Sequence, residues 1–261
     1  MLSNNTDSAE KRVDFIRKSF PHSGLFLDKT WRQSPYPVVI SKKISKQLHD
    51  LGLFLADYLR ACNSIYFQSH IGKAPKWVAN YLDAGKPQTI INQGRHKTLK
   101  NVLPKIIRPD LILTEEGFAI TELDSVPGGI GLTAWLNKTY SALGDNVLGG
   151  STGMIEGFKG ILPKGADIVI SNEAKDYKPE MEWLNEQLNE GHRDNYYDVL
   201  EAESYVVKNR DVYRFYELFD LENITSSDEI FQHAADDKIE VTSPHKAFLE
   251  EKMWSALFHS K

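Results

Sequence analysis

Two apolar runs, residues 110–114 and 118–123, are separated only by Glu115, Glu116 and Gly117. No other stretch constrains the fold as tightly. A three-residue connection with glycine where left-handed backbone is needed joins adjacent antiparallel strands. Pairing Thr114 with Phe118 predicts a ladder in which Ile112 faces Ile120, Asp110 faces Glu122 and Arg108 faces Asp124. All lie on one face, because side chains alternate along a strand. Three carboxylates and one guanidinium then converge at one end. Directly opposed β-carbons lie about 4.5–5.5 Å apart, so Asp110 and Glu122 repel unless something neutralises them. A hard divalent cation such as Mg²⁺ is one solution, since it takes carboxylate oxygens together with phosphates. An Arg108–Asp124 pair with Glu122 left in solvent is the other.

The hairpin runs into a tight polar turn containing Ser125, Pro127, Gly128, Gly129 and Gly131, then into a helix from Thr133. Backbone amides in such a turn and at a helix start can hold an anion. Arg-x-Asp, a hairpin, Glu-x-Asp and a small-residue turn together resemble the metal and substrate signature of the glutathionylspermidine synthetase-like ATP-grasp ligases. Asp124 stands where that family usually carries asparagine, which keeps an oxygen ligand and adds charge. A second point of resemblance is VTSPHKAFLEEKMWSALF at residues 241–258, which is similar to the family's Pro-x-x-Lys segment and lysine-bearing helix. The likeness spans residues 107–134 and 212–258.

This resemblance implies an ATP-dependent carboxylate–amine ligase. ATP would phosphorylate a small-molecule carboxylate to an acyl phosphate, and an amine would attack it to form an amide. Asp110, Glu122 and Asp124 would be the Mg²⁺ ligands. Arg108 would be the catalytic group, holding the carboxylate or acyl phosphate through its planar fork. Ser125, Gly128 and Gly129 would add substrate contacts, with Arg214 and Glu217 weaker candidates for the same role, and Lys246 and Lys252 would reach the ATP phosphates.

The expected architecture is mixed α/β. A mostly helical region covers residues 1–100 and the metal hairpin with its glycine turn 101–145. A Rossmann-like, pre-ATP-grasp α/β region covers 146–240, and 241–261 opens a nucleotide-binding lobe. Because most of both lobes would follow residue 261 in that family, the chain is expected to be an incomplete ligase, inactive alone.

Ser41 caps a helix with apolar positions at Ile44, Leu48, Leu51, Leu55 and Leu59. Pro75 opens another helix, with Trp77 and Tyr81 read as packing residues. Gln93 to Lys97 reads as a polar, basic connector. Gly149, Gly150, Gly153 and Gly157 loosen the chain before a buried strand at 166–170, and a helix at 179–189 turns Met181, Leu184 and Leu188 inward. Residues 197–202 form the next strand, 204–208 and 212–215 a second hairpin, and 239–242 a short strand. Pro244 starts a final helix carrying Phe248, Met253, Trp254 and Leu257.

With a net charge of −5 and 26% charged residues, the chain has no basic field for nucleic acid and no attraction to anionic membranes. Cys62 is the only cysteine, so neither a disulfide within the chain nor a cysteine-built zinc cage can form. Its place in a helical stripe predicts packing rather than nucleophilic chemistry. The polar start MLSNNTDSAEKR lacks the apolar core of a signal peptide, and a cytoplasmic location follows. Two other functions compete with the ligase. Gly129-Ile-Gly131-Leu-Thr-Ala134 fits the dinucleotide fingerprint, but it follows a hairpin rather than a βαβ strand. A non-catalytic module that captures a carboxylate ligand is the third reading.

Overall fold

The computed structural model describes residues 3–21, 32–191 and 196–258. It is mixed α/β, with a two-stranded antiparallel hairpin and a four-stranded parallel sheet set against a helical region. Four helices come first: α1 (Ser3–Lys18), α2 (Lys42–His70), α3 (Lys76–Asp83) and α4 (Gln88–Gly94). The Ser41 hydroxyl caps α2 by accepting from the Ile44 amide at 3.2 Å. Leu55, Leu59, Cys62 and Tyr66 on α2 are buried, and burial pushes the Cys62 thiol up to about 12, as suits a packing residue. On α3 the inward face is Val78, Ala79 and Leu82. Trp77 and Tyr81, expected to pack, are 54% and 59% exposed, because three small or aliphatic side chains already fill the contact with α2. The Gln93–Lys97 stretch is not a solvated connector either. Gln93 and Gly94 are buried at the end of α4, and Arg95 pairs with Asp83 and donates to the Tyr66 hydroxyl at 3.0 Å.

The hairpin consists of β1 (Arg108–Leu113) and β2 (Phe118–Asp124). At its charged end the register is the expected one, with Arg108 opposite Asp124 and Asp110 opposite Glu122. Towards the tip it differs. Leu113, not Thr114, faces Phe118, and Ile112 faces Ala119. Thr114 belongs to the turn, its hydroxyl accepting from the Gly117 amide at 3.1 Å. The extra residue is absorbed as a bulge at Thr121, between the Asp110–Glu122 and Leu111–Ile120 pairs, where the Thr121 hydroxyl bonds the Asp110 carbonyl at 3.1 Å.

Next come α5 (Ile130–Ala142) and α6 (Gly153–Ile161). The glycine run is helical over its second half, since Ile155, Phe158 and Ile161 share a buried face. The parallel sheet has the order β4 (Tyr197–Glu201), β3 (Ala166–Ile170), β5 (Val212–Phe215), β6 (Val241–Thr242). Every residue of β3 is buried. Its even-numbered side chains join Met181, Leu184 and Leu188 of α7 (Lys178–Asn189) in the core beneath α5 and α6. Val169 faces a second core, with Ile230 of α8 (Ser227–Ala235). A sheet covered on both faces explains the uninterrupted apolar runs.

Residues 204–208 do not form a hairpin with β5. The chain instead crosses from one side of β3 to the other, so β5 runs parallel to β3. Buried Asp167 holds that crossing, pairing with Arg210 at 3.1 Å and accepting from Tyr205 at 3.0 Å. Pro244 does not start the last helix, which is α9 (Met253–Phe258). Phe248, Leu249 and Trp254 pack back onto α2 and α3, with the Phe248 ring stacked on Tyr66 at 3.6 Å. Residue 241 is therefore no packing boundary, and the last segment belongs to the helical core. Among the described residues, no helix is long and apolar enough to cross a membrane.

Candidate functional site

Where a parallel sheet reverses its strand order, the connections leaving the two flanking strands run to opposite sides and leave a crevice outside the carboxyl ends. Here those strands are β3 and β5, and the charged end of the hairpin is fastened beside them. Ser243, just beyond β6, donates its hydroxyl to the Ser125 carbonyl. Arg214 of β5, fully buried, donates to the Ser243 carbonyl at 2.9 Å and the Tyr216 carbonyl at 2.5 Å, and pairs with Glu250. Arg214 is thus a brace between β5 and the last segment, with every nitrogen engaged and the whole side chain out of reach of a substrate.

At the hairpin end, Arg108 lies between two of the predicted metal ligands. It reaches Asp110 at 3.1 Å and Asp124 at 3.3 Å, and donates to the Gly128 carbonyl at 3.1 Å. Glu122 is held by Lys252 at 2.8 Å. Asp124 also accepts from the Val126 amide at 2.8 Å, which fixes the exit from β2. The repulsion expected between Asp110 and Glu122 is relieved by two of the chain's own cations. Among the described residues, no three acidic, histidine or cysteine side chains come together as a metal cage. The donor set nevertheless fits a hard cation in kind, with three carboxylates on one strand pair. Arg108 is 42% and Lys252 81% exposed, so both can swing into water and leave the oxygens to an incoming ion.

The glycine turn is closed from below. Gly129 has φ +83°, a conformation that favours glycine. Its amide donates to one oxygen of Glu180 at 2.5 Å, and the Leu132 amide donates to the other at 3.0 Å. Gly131 permits the contact, since a β-carbon there would fall 2.2 Å from the Glu180 carbonyl oxygen. Glu180, fully buried at the start of α7, is therefore the anion that occupies the amino end of α5. Burial raises its carboxyl above the usual range even though the two amides and Arg108 oppose that shift. The Gly129 amide is not free for substrate. The same geometry counts against the dinucleotide reading, because Glu180 already holds the Gly129 and Leu132 amides and the preceding strands are antiparallel. Ser125 is buried, with a hydroxyl that has no partner in the described structure. Its carbonyl anchors the hairpin by accepting from the Ser243 hydroxyl.

Lys246 leaves the proposed phosphate contacts. It is 1% exposed, and its amine donates to Asn63 at 2.9 Å and to the carbonyls of Lys100 and Val102 at 2.9 and 2.6 Å. Burial lowers its pKa to about 7. Its three acceptors satisfy all three N–H groups of an ammonium, so it ties the last segment to α2. Lys252 is exposed and pairs with Glu122.

Glu180 and Glu250 escape the sequence reading. Nothing in the order of residues marks Glu180 as the partner of amides some fifty positions earlier, and Glu250 lies in an acidic pair that reads as solvated surface. Glu217 is better placed than its weak standing implied. It follows β5, and burial pushes its carboxyl up to about 7, with Glu250 and Asp124 adding to the rise and Arg214 opposing it. Comparison with family models, with characterised proteins and with solved structures gave no match, so function must be argued from this geometry.

Proposed function

We propose that the chain carries the metal and carboxylate site of an ATP-dependent carboxylate–amine ligase, working through an acyl phosphate. One observation carries the reading: Asp110, Glu122, Asp124 and Arg108 gather at the bulged end of a hairpin fastened beside the carboxyl ends of a parallel sheet. Asp110, Glu122 and Asp124 would hold Mg²⁺, which, when bound, offsets charge on phosphate oxygens. Arg108, released from Asp110 and Asp124, would turn its fork to the substrate carboxylate. Lys252, released from Glu122, would stand at the same opening as a point charge for phosphate. The small parallel sheet is read as the Rossmann-like region that precedes the nucleotide lobes in such ligases. A reducing, ATP-supplied compartment such as the cytoplasm suits the reading and the single thiol.

The test is binding of Mn²⁺, followed by its effect on water proton relaxation. Glu122→Gln should weaken Mn²⁺ by at least about ten-fold, the worth of one charged ligand contact, with the melting temperature preserved. Equal affinity in variant and parent would sink the site. Arg108→Lys keeps the charge and loses the fork, so it should impair carboxylate binding far more than stability. A second reading, a carboxylate-capturing module without catalysis, is favoured by the loss of Lys246 from the ATP phosphate contacts. It requires carboxylate binding unaffected by Mg·ATP, whereas the ligase requires the two to bind cooperatively.

A further inference from the structure

Beside the hairpin site lies a cavity of about 810 Å³ that neither metal nor carboxylate would fill. Tyr81 and Ile90 of the helical region form one wall, and Glu217 to Phe219, at the end of β5, form another. Residues 250–253 close it. Its walls are chiefly apolar, and Tyr81 and Phe219, 59% and 75% exposed, stand at its margin. Two surface aromatics bordering one cavity differ from singly scattered apolar side chains, which are ordinary.

The charges bordering the cavity are nearly all spoken for. Glu250 pairs with Arg214, Glu251 with Lys86, and Lys252 with Glu122. Asp228 accepts from Gln93 at 2.9 Å. Glu222 is exposed on the outer rim. Glu217 is different: it is half-buried, and its carboxylate has neither an ion pair nor a hydrogen bond among the described residues. A partly desolvated acid without a partner attracts a cation that brings its own donors, and aromatic faces add to that attraction.

We propose that this cavity binds a primary ammonium of single charge with an apolar body, its charged head against Glu217 and its body between Tyr81, Phe219 and Met253. One unpaired acid that is partly withdrawn from water calls for one positive charge, and the apolar walls call for a chain or ring rather than a string of further amines. This deepens the ligase reading by placing its amine, and it rests on that reading only for the amine's role as substrate. Lys252 lines the cavity and also holds Glu122, so the two sites share a wall.

The experiment titrates the full chain with hexylammonium, and in parallel with hexanoate and hexanol, following the indole and amide resonances by NMR. Hexylammonium should saturate, and hexanoate should not bind. Glu217→Gln should weaken hexylammonium by about ten-fold or more, the scale of one charge-assisted hydrogen bond. Phe219→Ala, at an exposed position that folding does not need, should weaken it about three-fold. The proposal is overturned if hexanoate binds as well as hexylammonium, or if Glu217→Gln and Phe219→Ala both leave its affinity unchanged. A Mn²⁺ titration of the same parent protein separates the two claims. Saturable hexylammonium without Mn²⁺ binding keeps the cavity and removes the ligase, and Mn²⁺ binding without hexylammonium does the reverse.

Discussion

Replacing Glu180 with glutamine tests how the glycine turn is held. The carboxylate accepts two backbone amides, from Gly129 at 2.5 Å and Leu132 at 3.0 Å, at the amino end of α5. Glutamine keeps one acceptor oxygen, and its NH₂ must face the second amide, donor against donor. One charge-assisted bond is lost, worth about 1.5–3 kcal/mol, and one buried amide is left unsatisfied. The charge that opposes the helix dipole also goes, at about 0.3–1 kcal/mol and more where burial is complete. Some of this is returned, because burial already penalises the carboxylate and glutamine escapes that penalty. The net expectation is about 2–3 kcal/mol of destabilisation. At roughly 2–4 °C per kcal/mol for a chain of this size, the melting temperature should fall by about 4–12 °C. Urea unfolding followed by tryptophan fluorescence gives the free energy directly, and Trp135 on α5 reports from the affected helix. A shift below about 0.5 kcal/mol would refute the claim that Glu180 is the internal anion of the turn. The amides would then be open to an outside ligand, and the dinucleotide reading would return.

Lys246→Met should strand three buried acceptors and cost about 3 kcal/mol or more, measured by urea denaturation; unaltered stability with lost ATP binding would instead make Lys246 a phosphate contact. Glu217 carries a carboxyl whose folded pKa is raised from 4.5 to about 7. Its contribution to stability is therefore fully present below pH 4.5 and is lost as pH rises through about 7, because the folded state binds the extra proton in that window. Glu217→Gln should gain stability relative to the parent between pH 5 and pH 8, read as the difference in melting temperature at the two pH values. A constant difference across that window would show that Glu217 titrates normally.

The charged end of the hairpin was legible because the turn residues and the alternation of side chains are local facts. Arg108–Asp124 and Asp110–Glu122 follow from counting back from Thr114–Phe118, a pair that does not form, and they hold because the bulge makes up the one-residue difference from Leu113–Phe118. Counting fails at Thr121, since a bulge is a choice of the folded ladder and leaves no mark in composition. Strand β3 and helix α7 were legible for the same local reason, an unbroken apolar run and a three-to-four spacing. The crossing from β4 to β5 was not, because two short β-prone runs around Asn209 look alike whether the chain turns back or passes over β3. Long-range polar partners are the hardest case. Nothing near Lys246 announces Asn63, and nothing near Gly129 announces Glu180. Trp77 shows the converse: a large aromatic on a short helix predicts burial, yet the face it occupies has no opposing element among the described residues.

The bulge at Thr121 makes the hairpin two ladders of different phase. On the tip side, Leu111 to Leu113 pair with Ile120 to Phe118; on the other, Arg108 to Asp110 pair with Asp124 to Glu122. The two halves need not answer to each other. A change of length around Glu115 and Glu116 alters pairing only as far as the bulge, where a mismatch already exists and can be shifted at small cost. Removing the single residue Thr121 would take that slack away. The ladder would then run in one phase from tip to base with all six pairs kept, because Ile120 and Glu122 already face the adjacent residues Leu111 and Asp110, and a change of turn length would pass unabsorbed to Glu122 and Asp124. The chain thus insulates its charged end from drift at an exposed turn, with one solvent-facing threonine as the joint that takes up the difference.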